Sequence, residues 1–101
     1  MNDQIQAIGI PWYLERDYKT LKTVFSDGAK LPRSFLQWQD IAEQLRKREV
    51  RKGRIVVKAH IDPVGFPKWC AANGHNVDAA GRMAFANVEA YRVVLESQKN
   101  R

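Results

Sequence analysis

The sequence predicts a small α+β domain, mainly helical, with four helices packed around one short strand pair in the order β-α-α-β-α-α. Three observations carry this reading. Apolar residues recur at helical spacing in four segments, one segment alternates with a period of two, and Gly, Pro, Ser and Asp stand at the junctions between them. A chain of 101 residues, 45% hydrophobic and 28% charged, encloses one core, so residues 1–101 form a single domain. Three Trp, four Phe and three Tyr predict that this core is aromatic.

The first element is the apolar stretch Ala7 to Ile10, which Pro11 cuts off. Leu14, Tyr18, Leu21 and Phe25 then mark one face of a first helix, which ends at Ser26-Asp27-Gly28, where glycine can take the left-handed conformation. Ser34 and Gln37 have capping-box spacing, and a second helix runs from Phe35 to about Lys52. Its expected apolar stripe is Phe35, Trp38, Ile41, Ala42 and Leu45. Gly53 stops it. From Arg54 to Ile61, alternation places Ile55, Val57, Ala59 and Ile61 on one buried side of a strand. This strand needs a partner, either Ala7 to Ile10 of the same chain, antiparallel if the two helices form a hairpin, or the same strand of a second subunit.

Asp62-Pro63 opens a third helix, with Phe66, Trp69 and Cys70 on one face and Gly74 as the stop. Pro67 would break a helix that began at Pro63, so an irregular entry is expected. Asp78 caps the last helix, whose expected inward stripe is Gly81, Ala84, Val88, Tyr91 and Leu95, flanked by Phe85 and Val94. The predicted mutual core is Trp38, Leu45, Ile55, Val57, Trp69 and Val88.

Charge is concentrated. Arg46, Lys47, Arg48, Arg51, Lys52 and Arg54 face a single acid, Glu49, within one short run, while the whole chain has a net charge of +6. Such a run is a candidate site for phosphate or carboxylate groups. It is also what a solvated helix end looks like, where cations meet the helix dipole and Glu43 can pair with Lys47. No apolar run approaches the length of a membrane span and the first residues lack a signal-peptide pattern, so a cytoplasmic protein is expected. One cysteine forms no internal disulfide, in keeping with a reducing compartment.

The succession Ile10-Pro11-Trp12-Tyr13, Asp17-Tyr18, Leu21, Phe35, Trp38, a strand leading to Asp62, Trp69-Cys70, Gly74 and Asp78-Ala79-Ala80-Gly81-Arg82 resembles a group of short, uncharacterised bacterial proteins. The resemblance extends from about Gly9 to Ala90. It implies an intracellular bacterial protein and brings no activity, cofactor or catalytic residue with it.

Candidate chemistry is sparse. Cys70 with His60 or His75 would suit a thiolate nucleophile, but a free cysteine beside Trp69 on an apolar face reads as a small buried hydrophobe. Cys70, His75 and Asp78 lack the spacing of a zinc site, and no metal or other cofactor is expected. Asp40 with Glu43, and Glu15 with Asp17, read as solvated acids beside Lys and Arg rather than a glycosidase pair. The six glycines are dispersed, which argues against a phosphate loop and nucleotide hydrolysis. Trp12 and Tyr13 follow Pro11, and adjacent aromatic side chains do not easily face one core. One of them is therefore a candidate surface platform, while closure of the aromatic core is the competing reading.

Three functional classes follow. The first is a non-enzymatic binding protein that contacts an unknown protein partner, as a monomer or strand-paired homodimer. Second comes sequence-nonspecific nucleic-acid binding through residues 46–54. An enzyme using Cys70 is last, and no membrane partner is expected.

Overall fold

The computed structural model describes residues 6–99. Its elements are β1 (Ala7–Trp12), α1 (Glu15–Val24), a short 3-10 turn (Gly28–Lys30), α2 (Phe35–Arg51), β2 (Ile55–His60), α3 (Gly65–Asn73) and α4 (Ala79–Lys99). The order is the expected one, and β2 pairs with β1 of the same chain, from Ala7 opposite Ile55 to Trp12 opposite His60.

The pair is parallel, not antiparallel as a helical hairpin would make it. The reason lies in the unequal roles of the intervening helices. α1 packs on the 3-10 turn and on α2, whereas α2, with 17 residues and a length of about 25 Å, lies along the strands. One full-length return between two strands is the crossover that parallel pairing requires.

Strand alternation divides the domain into two layers around the sheet. Ile8, Ile10 and Trp12 point to the α1–α2 side, where the aromatic core forms. Trp38 of α2 is its hub, with ring centroids 5.3 Å from Trp12, 4.6 Å from Tyr13 and 5.5 Å from Phe35. Each such pair contributes about 0.5–1.5 kcal/mol beyond the area it buries. Phe25 and Phe85 both meet Phe66 of α3 edge-on, which carries the core across to α4.

On the opposite face lie Ala7, Gly9 and Ala59, and α4 presses against them with Ala86 and Ala90, both buried. The approach is so close that a Cβ on Gly9 would overlap the Ala86 carbonyl oxygen. This overturns the expected orientation of α4. Of the predicted stripe, Gly81 is buried and Ala84 half-buried, while Val88, Tyr91 and Leu95 are 52%, 67% and 39% exposed. Backbone-close packing on a small-residue strand selects the helix face with the smallest side chains, so the large apolar face turns outward.

The predicted core changes accordingly. Trp38 is buried, Leu45 and Trp69 are half-buried at the margin, Val57 is half-buried, and Ile55 and Val88 are about half exposed. Ile41 is also 58% exposed, on the outer side of α2. Two strands cover little width, so Ala59 near the end of β2 is buried while Ile55 at its start is 47% exposed. The core instead draws on Trp12, Tyr13, Tyr18, Leu21 and Phe66.

Most junctions follow the local chemistry. Gln37 N–H donates to Ser34 Oγ at 3.2 Å and Ser34 N–H donates to Gln37 Oε1 at 3.3 Å, a complete capping box. The Asp62 carboxylate accepts from the Val64 and Gly65 amides, and Asp78 accepts from the Gly81 amide. A separate turn at Pro63 and Val64 precedes α3, so Pro67 falls in the first helical turn, where its missing N–H costs no helical bond. Gly53 and Gly74 hold φ of 86° and 73° at the ends of α2 and α3. Gly28 differs from expectation. Its φ is not positive, and it opens the 3-10 turn where any Cβ would strike the Lys22 carbonyl.

The substitution Gly9→Ala should therefore lower unfolding free energy by about 1–3 kcal/mol, the range for overpacking, as measured by urea denaturation. An unchanged midpoint would mean that α4 does not sit on β1 as described.

Candidate functional site

The basic run lies at the C-terminal end of α2 and the turn into β2, and the fold divides it into two sets. Arg46 Nε donates to Glu43 Oε1 at 2.6 Å, so Glu43 pairs with Arg46 rather than Lys47. Glu49 is buried and holds both Arg54, at 2.6 Å, and Lys52, at 3.7 Å. Among the described residues, Lys47, Arg48 and Arg51 have no acidic partner and are exposed. The six cations are therefore not one open face. Helical periodicity also puts Asp40 in line with Lys47 and Arg51, although its carboxylate accepts from Gln44 Nε2.

Trp12 and Tyr13 form no surface platform. Their relative exposures are 7% and 3%, and both rings meet Trp38. They share one core because Trp12 ends the strand with its side chain toward α2, while Tyr13 lies beyond the strand and is released from its alternation. Lys58 Nζ sits 4.5 Å from the Trp12 ring centroid, a cation over the face that stacking would require.

Cys70 is buried, and its thiol pKa is raised by burial and secondarily by the Asp78 carboxylate. His75 stacks on Trp69 with 5.2 Å between centroids, and His60 is exposed at the end of β2. Among the described residues no histidine nitrogen is hydrogen-bonded to the Cys70 sulfur, and no three His, Cys, Asp or Glu side chains gather as a metal site needs.

A buried ion pair escaped the sequence reading. Arg82 donates in a bidentate fork to Asp27, at 2.8 and 3.0 Å, and its guanidinium lies 4.4 Å from the Phe25 ring centroid. The hydrogen bonds from Arg82 hold the Asp27 carboxyl below its ordinary pKa. Burial pushes neighbouring Tyr13 up to about 12. Ser26 N–H donates to the Val77 carbonyl in the same region, so the loop after α1 is fastened to the start of α4. One signal was available: Arg82 shares the face of Ala86 and Ala90, and an arginine on a buried small-residue face needs a carboxylate. Arg82 is buried, Asp27 keeps 20% of its side chain exposed, and the two charges are matched to each other, which gives the pair a structural role.

The remaining feature is the outward face of α4. Val88, Tyr91 and Leu95 stand at spacings of three and four residues, on a helix anchored by its opposite side. Beside Tyr91 an open cleft of about 490 Å³ is lined by Ile8, Ala90, Val94, Asn87 and Arg54, among others. Among the described residues no helix is long and apolar enough to cross a membrane. No family model, curated protein or solved structure matches the chain.

Two outcomes test the ion pair. Asp27→Asn should cost about 3 kcal/mol, as removal of one partner of a buried pair does, and should flatten the acid limb of the stability curve. The sign follows from the lowered pKa. The contribution of Asp27 is complete above the ordinary value of 3.8 and is lost as pH falls through the folded-state value. For Tyr13 the contribution is complete below pH 10 and is lost as pH rises toward 12, so spectrophotometric titration should show delayed ionisation that Tyr13→Phe reduces, the remainder belonging to Tyr18, which burial also pushes up. Separately, Cys70 should react slowly with a thiol reagent at neutral pH until denaturant is added.

Proposed function

We propose that this chain is a small, non-enzymatic bacterial binding protein of the cytoplasm that engages another protein through the outward face of α4. The observation that carries the reading is the exposed trio Val88, Tyr91 and Leu95. Single exposed apolar residues, such as Leu36 and Val64 elsewhere on this surface, are normal, but a contiguous stripe on one helix is characteristic of interfaces. Aromatic residues are enriched at such sites because they contribute a large rigid area at low entropic cost. α4 is held by Gly9, Ala59 and the Asp27–Arg82 pair, so the stripe is preorganised and binding need not order it. The helix-in-groove mode matches this arrangement, with anchors at i, i+3 and i+7.

A second reading, sequence-nonspecific nucleic-acid binding, rests on Lys47, Arg48 and Arg51, which lack acidic partners. Three phosphate contacts give a log–log salt slope of roughly −3 on duplex DNA. Replacing all three residues with Ser should abolish retention at low salt under this reading.

A photoreactive amino acid at position 91 separates the two. Under the protein-interface reading, illumination of cells should give discrete protein adducts from position 91 and none from position 40 on α2. The interface reading is lost if position 91 gives no adduct above the position 40 background.

A further inference from the structure

We infer that the partner of the α4 stripe is a second copy of this chain, docked antiparallel so that the two α4 helices pair about a two-fold axis between Val88 and Tyr91. The inference rests on the interface reading above and names the occupant of that face.

Shape is the first argument. The stripe runs Ala84, Val88, Tyr91, Leu95, alternating four- and three-residue steps, which is the spacing of a helix-pairing seam. In the antiparallel register Val88 opposes Tyr91 of the second copy and Ala84 opposes its Leu95, and both contacts repeat through the two-fold. Every layer then joins a smaller side chain to a larger one, as close packing requires. A parallel register would set Tyr91 against Tyr91 and Ala84 against Ala84, giving one crowded layer and one empty one. The face is thus complementary to itself in one orientation, as an isologous interface must be.

Charge is the second argument. A chain of net charge +6 repels its copy unless the contact lies away from the cations. α4 is on the opposite side of the sheet from α2, whose end carries Lys47, Arg48 and Arg51. The seam itself is close to neutral. Asn87 and Val94 border one side, where Arg54 of the adjoining cleft is held by Glu49 at 2.6 Å, and Arg92 on the other side is held by Glu89 and Glu96 of its own helix, at 2.8 and 2.7 Å. Nothing along the seam selects a strongly acidic or basic partner, and nothing opposes a like one.

Size sets the strength. The seam from Ala84 to Leu95 is about 18 Å long at 1.5 Å per residue, and one helix pair of that length buries less than the ~800 Å² per partner of a standard interface. The dimer is therefore a weak, reversible one.

Sedimentation equilibrium of the purified full chain from about 5 to 500 μM should show monomer and dimer in exchange. Tyr91→Glu and Leu95→Glu should each weaken the dimer at least tenfold with unchanged circular dichroism, while Leu36→Glu on α2 leaves it intact. In a Cys70→Ser background, mixing Ala84→Cys and Leu95→Cys chains should give the mixed disulfide in preference to either homodimer. Monomer throughout the range, a dimer insensitive to both glutamates, or preferred Ala84→Cys self-crosslinking would each overturn the inference. In those cases, adducts from position 91 with a mass other than twice the chain would still leave α4 as an interface for a different protein, whereas no adducts at all would remove the interface reading as well.

Discussion

The domain depends on a backbone-to-backbone contact between Gly9 and the Ala86 turn of α4. A two-stranded parallel sheet has little stability of its own, because parallel sheets need cover on both faces. Here α2 covers one face with aromatic side chains and α4 covers the other with almost none. The asymmetry follows from β1, where Ile8, Ile10 and Trp12 are large on one side while Ala7 and Gly9 are small on the other. A small-residue face can be covered only at short range, and short range admits only the small face of the covering helix. The exposure of Val88, Tyr91 and Leu95 is the direct result.

Close contact selects the face that α4 turns to the sheet, and the Asp27–Arg82 pair reinforces that rotation, since a bidentate fork has one workable geometry and lies at the start of the helix. It also joins segments far apart in the chain, the loop after α1 and the first turn of α4. Buried ion pairs are weak sources of net stability, but a half-matched one is costly. The pair therefore discriminates against other rotations of α4, including the one that would bury its larger apolar face and leave Arg82 without its acid.

Local chemistry was legible in the sequence. The capping box at Ser34 and Gln37, the Asp62 and Asp78 caps, the stops at Gly53 and Gly74 and the order of elements all depend on neighbours a few residues apart. What required the fold was non-local. Hydropathy favours burying Val88, Tyr91 and Leu95, and only the closeness of β1 explains why Ala86 and Ala90 take their place. Strand polarity depended on which helix spans the sheet, which periodicity does not report. The basic run was visible as a run, but its division depended on Glu49 being buried beside Arg54 and Lys52. Trp12 and Tyr13 were hard to place because strand alternation stops between them.

The parallel pairing also shapes how the chain acquires its structure as it leaves the ribosome. β1 is made before both its hydrogen-bonding partner β2 and Ala86, the cover for its second face, so it waits until they emerge. α1 and α2 can form in the meantime, since their contacts are local, but the strand they connect stays unsatisfied. Contacts of such long sequence separation slow folding and leave sticky segments open to other nascent chains. Pro11 then acts as a gatekeeper within β1, because a residue without an N–H spoils the ladder that an intruding strand would need.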